Sequence, residues 1–264
     1  MLTILVINSK GGSGKTTLTT NLASYYASKK VKTALMDYDP QGSSMQWLKI
    51  RPGQAEKIHG ANAAPPRGAT IQRSAQAWIP VDTDVLIVDA PAGVKGLLLQ
   101  ELVRRTNFIV IPVAPSPIDI HSTADFVKEL YLFGGARTSK AKIAVVANRV
   151  RSSSSSIYAS LERFLNSLKL PFLTSIHDSE IYLQAAEKGL GVFEMDEAVT
   201  ATERRELLPI LRWVDGHYIA LDKRLNVFPS QESLPPPDKY GSRVEDKVIS
   251  LEAFSSTGRF RNNP

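Results

Sequence analysis

The 264-residue chain carries 32 Lys plus Arg against 26 Asp plus Glu, a net charge of +6, with 43% hydrophobic and 22% charged residues. That balance suits a folded core and excludes a wholly disordered chain, while the absence of cysteine excludes disulfides, thiolate metal sites and cysteine nucleophiles. No run of about 18 apolar residues marks a membrane span, and the mild positive charge suits either phosphate polymers or anionic surfaces as partners or simply an ordinary basic soluble protein.

In chain order, Leu2 to Ile7 is a short, β-branched-rich run that suits a strand buried on both faces. Ser9, Lys10, Gly11 and Gly12 follow at once in place of a signal-peptide cleavage pattern, so the chain reads as soluble and cytoplasmic. Lys15 to Lys29 sets Leu18, Leu22, Tyr25 and Tyr26 on one helical face, and Asp119 to Phe133 does the same with Phe126, Leu130 and Phe133. Strand-like runs recur at Ala34 to Met36, Val85 to Val88, Phe108 to Val113 and Ile143 to Ala147. This β-α alternation predicts an α/β fold: a doubly wound, mostly parallel sheet with helices on both faces.

Arg51 to Pro80, punctuated by Pro52, Gly53, Gly60, Pro65, Pro66 and Gly68, reads as a long surface excursion. Arg151 and the serines at 152–156 read as a loop before the amphipathic pattern of Leu161, Phe164, Leu165 and Leu168. After Asn226 the composition turns to Pro229, Pro235, Pro236 and Pro237 among polar residues. The expected organisation is one compact domain over residues 1–225 and a weakly ordered tail over 226–264.

The strongest local signal is Ser9-Lys10-Gly11-Gly12-Ser13-Gly14-Lys15-Thr16-Thr17, set between a predicted strand and a predicted helix. Gly11, Gly12 and Gly14 let the backbone curl so that its N–H groups and the helix N-terminus point at phosphate oxygens. Lys15 then reaches the β- and γ-phosphates, and the Thr16 hydroxyl is placed for Mg²⁺. An ordinary phosphate loop has glycine five residues before Gly14; here Ser9 stands there and Lys10 is an extra lysine. In this the sequence resembles the deviant Walker A loop, Lys-Gly-Gly-x-Gly-Lys-Thr, of the ParA/MinD family of P-loop ATPases.

Asp37-Tyr38-Asp39-Pro40-Gln41-Gly42 and Val85-Leu86-Ile87-Val88-Asp89-Ala90-Pro91-Ala92-Gly93 extend the resemblance, as do Pro115 to Asp119 and Ala185 to Gly189 followed by Glu194. Together they cover about residues 1–215. The resemblance implies ATP and Mg²⁺ as cofactors and hydrolysis of ATP to ADP and phosphate. It makes Lys10 a lysine that reaches the partner's nucleotide in an ATP-bound homodimer. Asp39 then lies beside Mg²⁺ and orients the attacking water, and Asp89 holds the Mg²⁺ shell. Asn148 matches the asparagine that reads adenine; a residue turning the end of a strand is the other reading of that position.

Small stand-alone members of that family position protein cargo such as carboxysomes on the nucleoid, with an adaptor protein stimulating hydrolysis. Non-specific DNA binding then falls to Arg149, Arg151, Lys188, Arg204, Arg205 and Arg212, although Glu203 and Glu206 flank the Arg204-Arg205 pair as in a solvated helix face. Residues 244–254 could form one short apolar face, but their acids and the prolines upstream argue against a membrane anchor like that of the cell-division branch. The alternatives are a membrane-recruited regulator or a metabolic, cofactor-assembly ATPase of the same superfamily, and the lack of cysteine argues against cluster chemistry.

Overall fold

A computed structural model describes residues 1–64, 78–151, 156–168 and 170–221. The proposed boundary at residue 225, the tail 226–264 and the serines at 152–155 lie outside the described residues.

Among the described residues, seven strands form one sheet: β1 (Leu2–Val6), β2 (Thr33–Asp37), β3 (Ile58–Asn62), β4 (Val85–Asp89), β5 (Phe108–Val113), β6 (Lys142–Val150) and β7 (Phe172–His177). Their order is β3-β2-β4-β1-β5-β6-β7, and every pairing is parallel. The helices are α1 (Lys15–Ser28), α2 (Ser43–Lys49), α3 (Gly96–Arg104), α4 (Pro117–Leu132), α5 (Ser156–Ser167), α6 (Glu180–Glu187) and α7 (Glu197–Leu221), with a 3₁₀ turn at Val192–Glu194.

Parallel strands covered on both faces are apolar throughout, and the period of two sorts their side chains into two cores. On β1, Leu2, Ile4 and Val6 join Leu22 and Tyr26 of α1 and Leu211 and Val214 of α7. Leu5 and Ile7 face the other way, with Leu99 of α3, Phe126 and Leu130 of α4, and Leu161 and Leu165 of α5. The doubly wound sheet is therefore as expected from sequence. Phe133, assigned to the buried face of α4, instead caps that helix and is 66% exposed. The helix stops one residue earlier, where Gly134 and Gly135 permit the turn.

The chain runs from β1 outward to β2 and β3, returns to β4, and crosses beneath β1 to β5. This reversal is the switch point at which an open α/β sheet leaves a crevice beyond the carboxyl ends of its strands. The loop between β1 and α1 sits there. Among the described residues no helix is long and apolar enough to cross a membrane.

Candidate functional site: a phosphate-loop crevice

The loop leaves β1 through Asn8, which is fully buried. Its Nδ2 donates to the Pro112 carbonyl of β5 at 2.7 Å and to Thr123 Oγ1 of α4 at 3.0 Å, while its Oδ1 accepts the Lys10 N–H at 3.3 Å. The base of the loop is thus pinned to the strand across the switch point. Gly12 and Gly14 take φ values of 77° and 86°, in the left-handed region that glycine tolerates. Gly14 also caps α1 with no side chain on the first-turn N–H groups, and that turn carries no acid, so the helix N-terminus is left open to an anion.

Lys15 is 7% exposed, and its Nζ donates to the Lys10 carbonyl at 2.9 Å. Burial lowers its pKa, against the raising pull of Asp89 and Asp39. The lysine therefore sits folded back over the loop, beside the two carboxylates named from sequence. Lys10 itself is only half-buried. Ser13 is buried, with its Oγ donating to the Lys10 carbonyl at 3.3 Å; Thr16 and Thr17 are half-buried in the first turn of α1.

Asp37 and Asp89 end neighbouring strands as register partners. Asp37 accepts the Asp39 N–H at 2.9 Å and the Met45 N–H at 3.3 Å, which shapes the turn from β2 into α2. Burial raises its pKa. Asp39 lies half-buried on that turn, its Oδ1 accepting the Gln41 N–H at 2.9 Å. Asp89 is 1% exposed; one carboxylate oxygen accepts the Ser44 hydroxyl, the other is buried without a well-formed hydrogen bond, and the Thr16 hydroxyl lies near the carboxylate. Burial pushes its pKa up to about 6, with Ser44 and Thr16 pulling downward. An orphaned buried carboxylate oxygen, close to a threonine hydroxyl and a lysine, fits a hard divalent cation. Thr16, Asp39 and Asp89 are the residues that would hold Mg²⁺, which when bound neutralises phosphate charge.

Asn148 lies inside β6, not beyond its end, and is 4% exposed. A bulge there sets three residues of β6 against two of β7, and Arg149 takes a left-handed φ of 58°. The bulge turns Asn148 under the loop, where its Nδ2 donates to the Ser13 carbonyl at 2.8 Å; Arg149 Nη1 reaches the Gly12 carbonyl at 3.4 Å.

The six basic candidates for DNA separate. Arg149 and Arg151 share the Asp178 carboxylate, at 3.4 and 3.0 Å, while Lys188 and Arg205 are exposed. Arg204 turns inward: it donates to the Val192 carbonyl, Thr200 Oγ1 and the Met195 carbonyl, and it stacks over Phe193. Arg212 is half-buried on the same helix. The flanking acids are not a solvated face either. Glu203 is buried and accepts the Ser179 hydroxyl at 2.7 Å, and Glu206 holds the His177 N–H at 3.0 Å.

Two contributors to the site carry no motif. Asn8 and Ser44 are ordinary polar letters in the sequence. Arg51 and Glu194 form a buried two-pronged ion pair, side chains 6% and 8% exposed, that ties the end of α2 to the 3₁₀ turn. Trp47 supports it, lying under the guanidinium and donating to the Leu190 carbonyl at 3.3 Å.

A parallel switch-point sheet whose first strand feeds a glycine-lysine-threonine loop into a bare helix N-terminus defines a P-loop nucleotide-binding domain. The chain belongs to the family described as "CobQ/CobB/MinD/ParA nucleotide binding domain", which matches residues 4–192. It is 27% identical over 198 residues to the maintenance of carboxysome distribution protein A of Halothiobacillus neapolitanus, covering 73% of this chain and 87% of that protein. Solved structures share the fold. The septum site-determining protein MinD of Pyrococcus horikoshii, complexed with Mg-ADP, superposes with a TM-score of 0.60 at 15% identity, over 84% of this chain and 99% of that one. An ATP complex of a Cyanothece McdA variant gives 0.54 at 16% identity, over 84% and 96%.

Proposed function

We propose that this protein is an ATP-dependent switch that positions a protein assembly of the carboxysome kind. Two ATP-loaded protomers pair, with Lys10 of each reaching the nucleotide of the other. The pair holds nucleoid DNA without sequence preference, and an adaptor protein stimulates slow hydrolysis to ADP and phosphate, which releases it. In this reading the chain acts in the cytoplasm, on the nucleoid. The observation that carries it is the division of labour between two lysines in one loop. Lys15 is buried, with its Nζ on the Lys10 carbonyl, while Lys10 itself is only half-buried. The extended likeness to a carboxysome distribution protein supports the choice of cargo.

Within the site, Lys15 and the open N-terminus of α1 bind the phosphates, Asn8 and Asn148 hold the loop in shape, and Asp39 orients water. Thr16, Asp39 and Asp89 hold Mg²⁺. Asn148 keeps an amide oxygen for the adenine edge while one of its N–H groups holds Ser13. For DNA, the exposed cations Lys188 and Arg205 and the arginines on Asp178 are the candidates, and Arg204 is assigned to packing.

Retention on DNA measured against salt, with ADP, with ATP, and with ATP for Lys10→Ala, tests the reading. Doubling the basic surface on pairing steepens both affinity and its salt dependence. Wild type is expected to bind DNA with ATP and release it with ADP, and Lys10→Ala to bind nucleotide but stay monomeric and off DNA. Equal retention with ADP and ATP, or none at low salt, would overturn it.

A further inference from the structure

Ser44 is fully buried in the first turn of α2, two residues after the turn that carries Asp39. A hydroxyl removed from water needs a partner, and this one donates to Asp89 Oδ2. In the same turn of helix, the Met45 N–H donates to Asp37 Oδ2, while Asp37 Oδ1 accepts the Asp39 N–H. The start of α2 is thereby bound to both strand-end carboxylates, which are register partners on β2 and β4.

The torsion that turns a carboxylate is broad and roughly two-fold, so burial alone does not fix which oxygen faces which way. At Asp89 the two oxygens are distinguished by Ser44: Oδ2 is occupied, and Oδ1 is left buried without a well-formed hydrogen bond, with the Thr16 hydroxyl near the carboxylate. We infer that Ser44 is a positioning residue for the magnesium carboxylate, reserving Asp89 Oδ1 for the metal and joining α2 to the metal site as one rigid unit. This rests on the reading of Asp89 as a residue of the Mg²⁺-nucleotide site. It also gives the Asp39 turn a mechanical link to Asp89, because the residues from Asp39 to Ser44 are continuous backbone.

The test is a titration of the full-length protein with a fluorescent, non-hydrolysable ATP analogue, in EDTA and across a Mg²⁺ series, for wild type, Ser44→Ala and Ser44→Cys. Removing a partner that orients a metal-site carboxylate weakens metal binding by about 10-fold. Both variants are therefore expected to need about 10-fold more Mg²⁺ for half-maximal tightening, with affinity in EDTA unchanged. Cysteine fills the serine's space but is a weak donor, so a purely space-filling role predicts that Ser44→Cys behaves as wild type. Wild-type Mg²⁺ dependence in either variant that melts cooperatively overturns the inference; if the alanine protein does not melt so, the cysteine protein decides. Absence of any Mg²⁺ effect in wild type overturns the nucleotide-metal reading itself, and this inference with it.

Discussion

Asn148 donates its side-chain amide to the Ser13 carbonyl at 2.8 Å, so the floor of the phosphate loop is a residue of strand β6. A Cβ on Gly14 would lie 1.9 Å from that amide nitrogen, on a backbone already at positive φ. Gly14→Ala is therefore expected to displace Asn148 and to abolish nucleotide binding. Asn148→Ala leaves the Ser13 carbonyl without its partner and costs about 1–3 kcal/mol of stability. If Asn148 also reads adenine, that variant loses preference for ATP over GTP. Thermal melts and competition between the two nucleotides check both parts, and undiminished preference would remove adenine reading from this residue.

Lys15 and Asp39 are expected to fail differently. Lys15→Ala removes the buried lysine beside the loop and is expected to abolish ATP binding, read by fluorescent-nucleotide titration. Asp39→Ala leaves the loop intact, so it is expected to bind ATP with near wild-type affinity, hydrolyse it at least about 10-fold more slowly, and accumulate as a dimer. Phosphate release and light scattering measure these, and wild-type turnover would refute the role given to Asp39.

Helices α1 and α7 meet where Tyr26 donates to Asp215 Oδ1 at 3.0 Å. Burial pushes the Asp215 carboxyl from its ordinary 3.8 up to about 7, against the lowering effect of Tyr26. Between those values the folded chain holds a proton that the unfolded chain has released, so stability falls as pH rises through that window. The loss at pH 8 amounts to roughly 2–4 kcal/mol. Asp215→Asn keeps an acceptor for Tyr26 and has no charge to bury. Denaturant melts from pH 4 to 8 should show a flatter profile for the variant and greater stability than wild type at pH 8.

The Arg51–Glu194 pair gives a prediction about stability alone. With both side chains buried, Arg51→Ala strands the Glu194 carboxylate and is expected to cost about 3–5 kcal/mol. The double variant Arg51→Met with Glu194→Leu leaves no charge behind and should recover most of that loss in denaturant melts. Failure of the double variant to recover any would mean that the hydrogen bonds of Arg51 to the Gly189 and Glu56 carbonyls matter more than its charge.

Much of the site was legible because it is local. The loop, Asp39 and Asp89 each sit within a few residues of a strand end, and the apolar runs of β1, β4 and β5 announce strands buried on both faces. β3 was hidden in the proline- and glycine-rich excursion, since an edge strand whose Ile58, His59 and Gly60 are only half-buried shows neither a clean alternation nor an apolar run. Arg204 looked like a surface cation beside two acids, yet the arginine and both acids are held by partners on β7, α6 and the 3₁₀ turn. Only tertiary contact decides that. Asn8 and Ser44 were invisible for the same reason: their partners lie far along the chain.

The position of β1 in the sheet also dictates an order of assembly. Its neighbours are β4 and β5, so Leu2 pairs with Val85 and Ile4 with Phe108, and the strand that feeds the nucleotide loop waits for chain made much later. Closing such long stretches before any contact rewards them is slow. During synthesis the glycine-rich segment therefore emerges from the ribosome with no scaffold beneath it, and Asn8 gains the Pro112 carbonyl only once β5 is in place. Nucleotide can therefore act as a folding ligand only once synthesis has passed β5, which ends at Val113.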